Sequence, residues 1–196
     1  MADRAPSAAI IAVGGCIALA AAMGIGRFVY TPILPFMVEG LGLTQAEGGV
    51  IASANFLGYL VGALTASIAP PAGGRRAWLL AALAISALST GAMAATPSLT
   101  LFLGLRFMGG VASAFVLVLG SALVLDRLAA AGRAGLSAVH FAGVGCGIVV
   151  SAVLVAGLAA GGYGWRAHWL FSGGVSLLAL GAVAWLMPGE GTHETP

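Results

Sequence analysis

The sequence predicts an all-α, polytopic membrane protein built of six transmembrane helices. Three observations carry this prediction. Of the 196 residues, 60 % are hydrophobic and 7 % are charged, and mean hydropathy is +1.07, more apolar surface than a soluble core can bury. Six stretches reach the roughly 20 mostly apolar residues that a spanning helix needs: 8–36, 45–69, 77–96, 98–125, 135–161 and 168–187. Between them fall the charges and the turn-forming residues. Residues 1–196 therefore read as one six-helix transmembrane domain, with a polar tail, "PGEGTHETP", over 188–196.

The first span opens with nineteen uncharged residues, Ala8 to Gly26, and then meets Arg27, Tyr30, Pro32 and Pro35. Arg4, the apolar run and the Ala-x-Ala sequences around Ala18 to Ala22 imitate a secretory signal. An uncleaved helix is the expectation, because cleavage would leave an odd number of spans. The second span has a cap: Thr44 with Glu47 three residues on forms a capping box. Five turns separate the spans, at Gly40-Leu41-Gly42, Pro70-Pro71-Ala72-Gly73-Gly74, Thr96-Pro97-Ser98, Ala131-Gly132-Arg133 and Gly161-Gly162-Tyr163-Gly164.

Loop arginines set the orientation, since cytoplasmic loops carry the excess of Lys and Arg. Lysine is absent; Arg4, Arg75, Arg76, Arg127 and Arg133 fall on one side and Arg166 alone on the other. Both termini are therefore expected in the cytoplasm. Small residues at four-residue spacing (Gly58/Gly62/Ala66, Gly110/Ala114, Gly143/Gly147/Ser151 and Gly157/Gly161) let membrane helices approach closely. They read either as ordinary packing or as a mobile bundle of helices two, four and five. No basic stripe for nucleic acid is present, and no metal, redox or cofactor motif. Cys16 and Cys146 lie in apolar spans, where a thiol behaves as a small hydrophobe.

An ionisable side chain inside a bilayer is costly and marks a candidate functional site. Arg106 lies about eight residues into the fourth span from its outer end, roughly 12 Å deep at 1.5 Å per residue. Arg27 sits at a similar depth if its span ends at Pro35. The two guanidinium groups are expected to hold one small anion, with snorkelling of Arg27 to the interface as the bland alternative. Tyr30, Asn55 and Tyr59 can add polar contacts to a solute, or simply bond a neighbouring helix. His140 reads as a proton-linked group or a helix-bonding one. Glu39, Glu47 and Asp126 lie at span ends and no Asp or Glu lies deeper, so any coupling would fall to His140 or another subunit, or there is none. Arg75 and Arg76 open the third span where Asp126 and Arg127 close the fourth, which suggests an ion-paired latch or gate.

These residues resemble the N-terminal six-helix half of the major facilitator superfamily. Arg106-Phe107-Met108-Gly109-Gly110-Val111-Ala112-Ser113-Ala114 is similar to the family's fourth-helix motif, and Gly74-Arg75-Arg76 to its loop between helices two and three. Gly143-Val144-Gly145-Cys146-Gly147 and Gly164-Trp165-Arg166 are similar to its glycine-rich fifth helix and the aromatic start of its sixth. The stretch Gly26-Arg27-Phe28-Val29-Tyr30-Thr31-Pro32 with Leu34-Pro35 resembles the bacterial YbfB/YjiJ branch. The loop motif departs from the pattern in lacking its acidic residue.

The resemblance implies a secondary transporter of the bacterial inner membrane, with helices one, two, four and five lining a cavity and three and six supporting them. Pro32 and Pro35 would then bend the end of the first helix into an outer gate. Family members have twelve spans, so six read as half of a parallel homodimer, as one of two separate halves, or as a fragment of a longer chain. The rival readings are a non-transporting scaffold or truncated remnant, and an intramembrane serine protease built on Ser172 and His140.

Overall fold

The computed structural model describes residues 7–68 and 74–187. Arg4, the turn at Pro70-Pro71-Ala72-Gly73 and the tail 188–196 lie outside the described residues. Six helices are long and apolar enough to cross a membrane: α1 (Ala8–Leu41), α2 (Gln45–Ile68), α3 (Arg75–Ala95), α4 (Leu99–Ala130), α5 (Ala134–Ala160) and α6 (Trp165–Leu186). No strand occurs among the described residues.

Four boundaries differ by more than one residue from those read in the sequence, each for a physical reason. α1 continues to Leu41 because Pro32 falls in the first turn of its second segment, Tyr30–Leu41, where a helix tolerates proline. The chain leaves that helix at Gly42, whose φ of +67° is left-handed. α4 runs to Ala130 because Leu123, Val124 and Leu128 are buried and hold two further turns. Asp126 and Arg127 therefore ride on the helix instead of ending it. α3 starts at Arg75, directly after left-handed Gly74. α6 starts at Trp165, which is buried edge-on against Phe102 with ring centroids 6.0 Å apart. The capping box of α2 is formed as expected: the Glu47 carboxylate accepts from Thr44 N at 2.8 Å, and Glu47 N donates to Thr44 Oγ1 at 3.2 Å.

The helices pack in the order α2, α4, α3, α6, α1, α5, each against the next. α1 and α4 are the most buried of the six. Leu19, Leu83, Val124, Leu128 and Met187 form the core near the end that carries both termini. Ile33, Met37, Ile51, Phe102 and Trp169 form it at the other end. Large apolar side chains on the outer faces, such as Leu57, Leu60 and Leu64 of α2 and Val149 and Val153 of α5, are exposed. That is the surface a lipid environment accepts without cost.

The glycine stripes are consumed in two pairings. Gly58 and Gly62 lie against the backbone of Phe107 and Val111, and Gly110 against that of Asn55, joining α2 to α4. Gly143 and Gly147 lie against the backbone of Cys16 and Ala20, joining α5 to α1. A bundle of helices two, four and five is thus not what the stripes build: α5 belongs to α1. Gly157 faces open space and Gly161 meets Tyr163 of its own turn and a nearby carbonyl, so that fourth stripe packs no helix.

Candidate functional site

α1 is not continuous. Ala8–Leu19 is α-helical, Ala20–Ile25 widens into π-type turns, residues 26–29 form a turn, and Tyr30 resumes the helix. Gly26 N reaches back five residues to Ala21 O at 2.8 Å, and Phe28 N to Met23 O at 3.2 Å. The proline then shifts the next bond. Pro32 has no N–H to offer Phe28 O, and Thr31 N takes that carbonyl at 3.2 Å. Thr31 N would otherwise have served Arg27 O. The carbonyls of Gly26 and Arg27 are left facing the bundle, where an unpaired backbone oxygen is expensive.

Arg106 takes both. Its Nη1 donates to Gly26 O and its Nη2 to Arg27 O, each at 2.9 Å. The side chain is 4 % exposed and lies between the rings of Tyr30, 5.1 Å from its centroid, and Trp169, at 5.9 Å. Such faces attract a guanidinium more strongly once it is desolvated. Around this centre the other polar groups tie helices together. Asn55 Nδ2 donates to Arg106 O at 2.9 Å, joining α2 to α4. The Tyr30 hydroxyl donates to Gly48 O at 2.8 Å, joining α1 to α2. Trp169 Nε1 donates to Met37 Sδ at 3.3 Å, fixing α6 to α1.

Arg27 is placed differently. It is partly buried, with its guanidinium carbon 4.0 Å from the Tyr59 ring centroid, 4.9 Å from Phe56 and 5.6 Å from Phe28. Its Nε is buried without a hydrogen-bond partner. The sequence reads the two arginines as holders of one anion, and Arg106 does lie against the main chain of Arg27. Arg106, however, spends its fork on backbone carbonyls, while Arg27 lies on aromatic faces.

The gate candidates gather at the end carrying both termini. Arg75 Nη1 pairs with Asp126 Oδ2, tying the start of α3 to the end of α4. Both side chains are largely exposed, at 49 % and 68 %, and an exposed pair contributes about 0–1 kcal/mol. Arg76 instead donates to Met187 O and to Ala184 O, the latter at 3.0 Å, and so caps the carbonyl end of α6. His140 is buried on α5, its Nε2 2.9 Å from the Ser121 hydroxyl of α4, with its Nδ1 facing Gly15 of α1. Ser172 is not its neighbour in this network: that hydroxyl donates to His168 O in its own helix at 2.7 Å. The Ser172 and His140 pair of the protease reading is not assembled.

Two features escaped the sequence reading. The π-type segments Ala20–Ile25 and Val116–Gly120 lie in the two most buried helices, and π-bulges recur at functional sites. Nothing in their runs of Ala, Val and Leu announces them. Trp169 as a wall of the Arg106 pocket was visible only as an aromatic in the sixth span.

No curated protein sequence matches this chain. The family profile described as the uncharacterised MFS-type transporter YbfB matches it over residues 19–196, which takes in the interrupted helix, Arg106 and all the later spans. With six membrane-crossing helices arranged around that site, the chain belongs to the family of YbfB-type MFS transporters.

Proposed function

We propose that this chain is one half of a secondary transporter that moves a small organic anion across the bacterial inner membrane by alternating access. The observation that carries the proposal is the interruption of α1 at residues 26–29, deep in the bundle and held open by Arg106. Broken helices build solute sites in transporters because their unwound turns bring polar backbone to mid-bilayer depth. With Arg106 committed to carbonyls, Arg27 is the cation that meets the solute. Stacking on Tyr59 and Phe56 leaves the edge of its planar fork for a carboxylate. Tyr30 and Asn55 then hold the site in shape by joining helices, and the Arg75–Asp126 pair biases the closed end without locking it. A parallel second six-helix body, whether a second copy or a separate half, completes the cavity between α2 and α5, the two ends of the packing order.

Uptake into proteoliposomes, with a panel of labelled organic anions and cations, tests this reading. Anion uptake is expected. Arg27→Gln should weaken anion binding about 10- to 150-fold, the loss of one charge-assisted hydrogen bond. Arg27→Lys should restore part of it, because a point charge lacks the fork. A cationic substrate, or an anion bound equally well by Arg27→Gln, overturns the anion assignment. Well-folded protein that moves nothing, alone or with a second half, favours the scaffold reading.

Orientation has its own check. A cysteine placed at Ser98 should react with an impermeant reagent added outside the cell, and one at Gly132 should not. The reverse pattern would invert the topology argued from the arginines.

A further inference from the structure

α3 and α4 leave a groove between their outer faces, beside the α2–α4 seam and apart from the solute site. Trp78, Ala81 and Ile85 of α3 and Met108, Val111 and Phe115 of α4 line a cavity of about 350 Å³ whose walls are almost wholly apolar. Each set recurs every three or four residues, so each forms one face of its helix. Trp78, Ile85 and Met108 are exposed, at 40 %, 43 % and 50 %, so the groove opens outward, towards lipid. Its inner end lies about one leaflet deep. At 1.5 Å per residue, Trp78 and Ile85 lie roughly 5 and 15 Å along α3 from Arg75, and half a hydrocarbon core is about 15 Å.

The end of the groove is built as well. Trp78 stacks on Phe115 with centroids 5.6 Å apart. Continuing the same two faces towards the termini brings Arg75, three residues before Trp78, and Asp126 of α4, which pair across the gap. Arg75 uses one donor atom in that pair and keeps the remainder of its fork. Among the described residues, Arg75 and Arg76 against Asp126 leave this end positive, two charges to one. An apolar trough the depth of one leaflet, ending at a net-positive rim, matches a ligand with one long apolar chain and an anionic head.

We propose that the α3–α4 groove is a binding site for an anionic phospholipid, with an acyl chain in the trough and the phosphate on Arg75. Surface arginines favour anionic lipid by a factor of about five each. The groove converts that diffuse attraction into residence at one place, beside the ion pair that closes the bundle. The site is independent of the transport reading, and its test reads lipid alone.

The full chain is reconstituted in choline-lipid nanodiscs doped with lipids whose acyl chains are dibrominated, carrying either a phosphoglycerol or a phosphocholine head. Tryptophan quenching is followed against mole fraction, and the contribution of Trp78 is the difference between the parent and Trp78→Phe. The Trp78 signal should be half-quenched at about a fivefold lower fraction of the anionic lipid. Arg75→Gln should remove that preference while neutral lipid still quenches. Ala81→Leu, which fills the groove from its exposed side and leaves the charges, should weaken quenching by both lipids. Equal quenching by the two heads overturns the proposal, as ordinary surrounding lipid behaves that way. A preference that survives Arg75→Gln, or one that persists in Trp78→Phe, overturns it too, since the site would lie elsewhere.

Discussion

Replacing Arg106 by leucine is expected to cost about 3–6 kcal/mol of stability, the loss of two hydrogen bonds to a charged donor at about 1.5–3 kcal/mol each. Both carbonyls at the break, Gly26 O and Arg27 O, accept from this side chain, which is itself 4 % exposed. Denaturant unfolding in one detergent, parent against variant, measures the loss. Arg106→Lys should fall between the two, since its ammonium can meet one carbonyl well but cannot span both in a plane. The cause assigned to the break supplies a sharper check. Pro32→Ala restores the N–H that Phe28 O lacks, frees Thr31 N to return to Arg27 O, and so removes part of the demand on Arg106. The double variant should therefore lose less than the sum of its parts, a coupling expected between groups sharing one network. Additive losses would mean that the proline and the arginine act separately. A leucine variant as stable as the parent would mean that the break needs no brace.

That causal chain also shows what could and could not be read from the sequence. Six spans were legible because a bilayer imposes a length and a polarity, and both are local properties of the chain. The Thr44–Glu47 cap was legible for the same reason: its two partners are three residues apart. Arg106 could be recognised as out of place, but not assigned a partner, because its partners are backbone atoms 79 and 80 residues away. Main-chain carbonyls carry no residue identity that a sequence displays. The prolines were recognised as disturbing α1, yet Pro32 acts upstream, where Thr31 N turns to Phe28 O, and Pro35 sits inside a helix that continues to Leu41. Glycine spacing signalled close approach at Gly58/Gly62 and at Gly143/Gly147 without naming the helix approached, and identical spacing at Gly157/Gly161 packs no helix. A stripe reports what a surface permits; the partner is decided by the arrangement of all six helices.

The seam between α2 and α4 should therefore fail at particular glycines and tolerate change at others. A Cβ at Gly110 would press into the Asn55 carbonyl and come within 2.8 Å of Tyr59 N. One at Gly58 would strike the Phe107 carbonyl. Backbone cannot step aside as a flexible side chain can, so the helices must separate along their length. Gly110→Val is expected to cost at least about 3 kcal/mol, the upper part of the range for overpacking. Gly58→Ala and Gly110→Ala should each cost less, and together less than their sum, because the first substitution already opens the seam that the second would open. Gly104 lies on the same helix with nothing within 4 Å. Its change to alanine should be neutral or should stabilise by up to about 1 kcal/mol, as glycine is the poorer helix former. The seam also bears on the proposed solute site, since α2 holds Phe56 and Tyr59 against Arg27. Moving α2 away from α4 withdraws that aromatic support together with the Asn55 bond to Arg106 O. Gly110→Ala protein that remains folded should accordingly bind anions more weakly, while Gly104→Ala binds as the parent does. Equal behaviour of the two variants in both unfolding and binding would show that α2 and α4 are not in backbone contact, and would remove the ground for placing Arg27 in its aromatic setting.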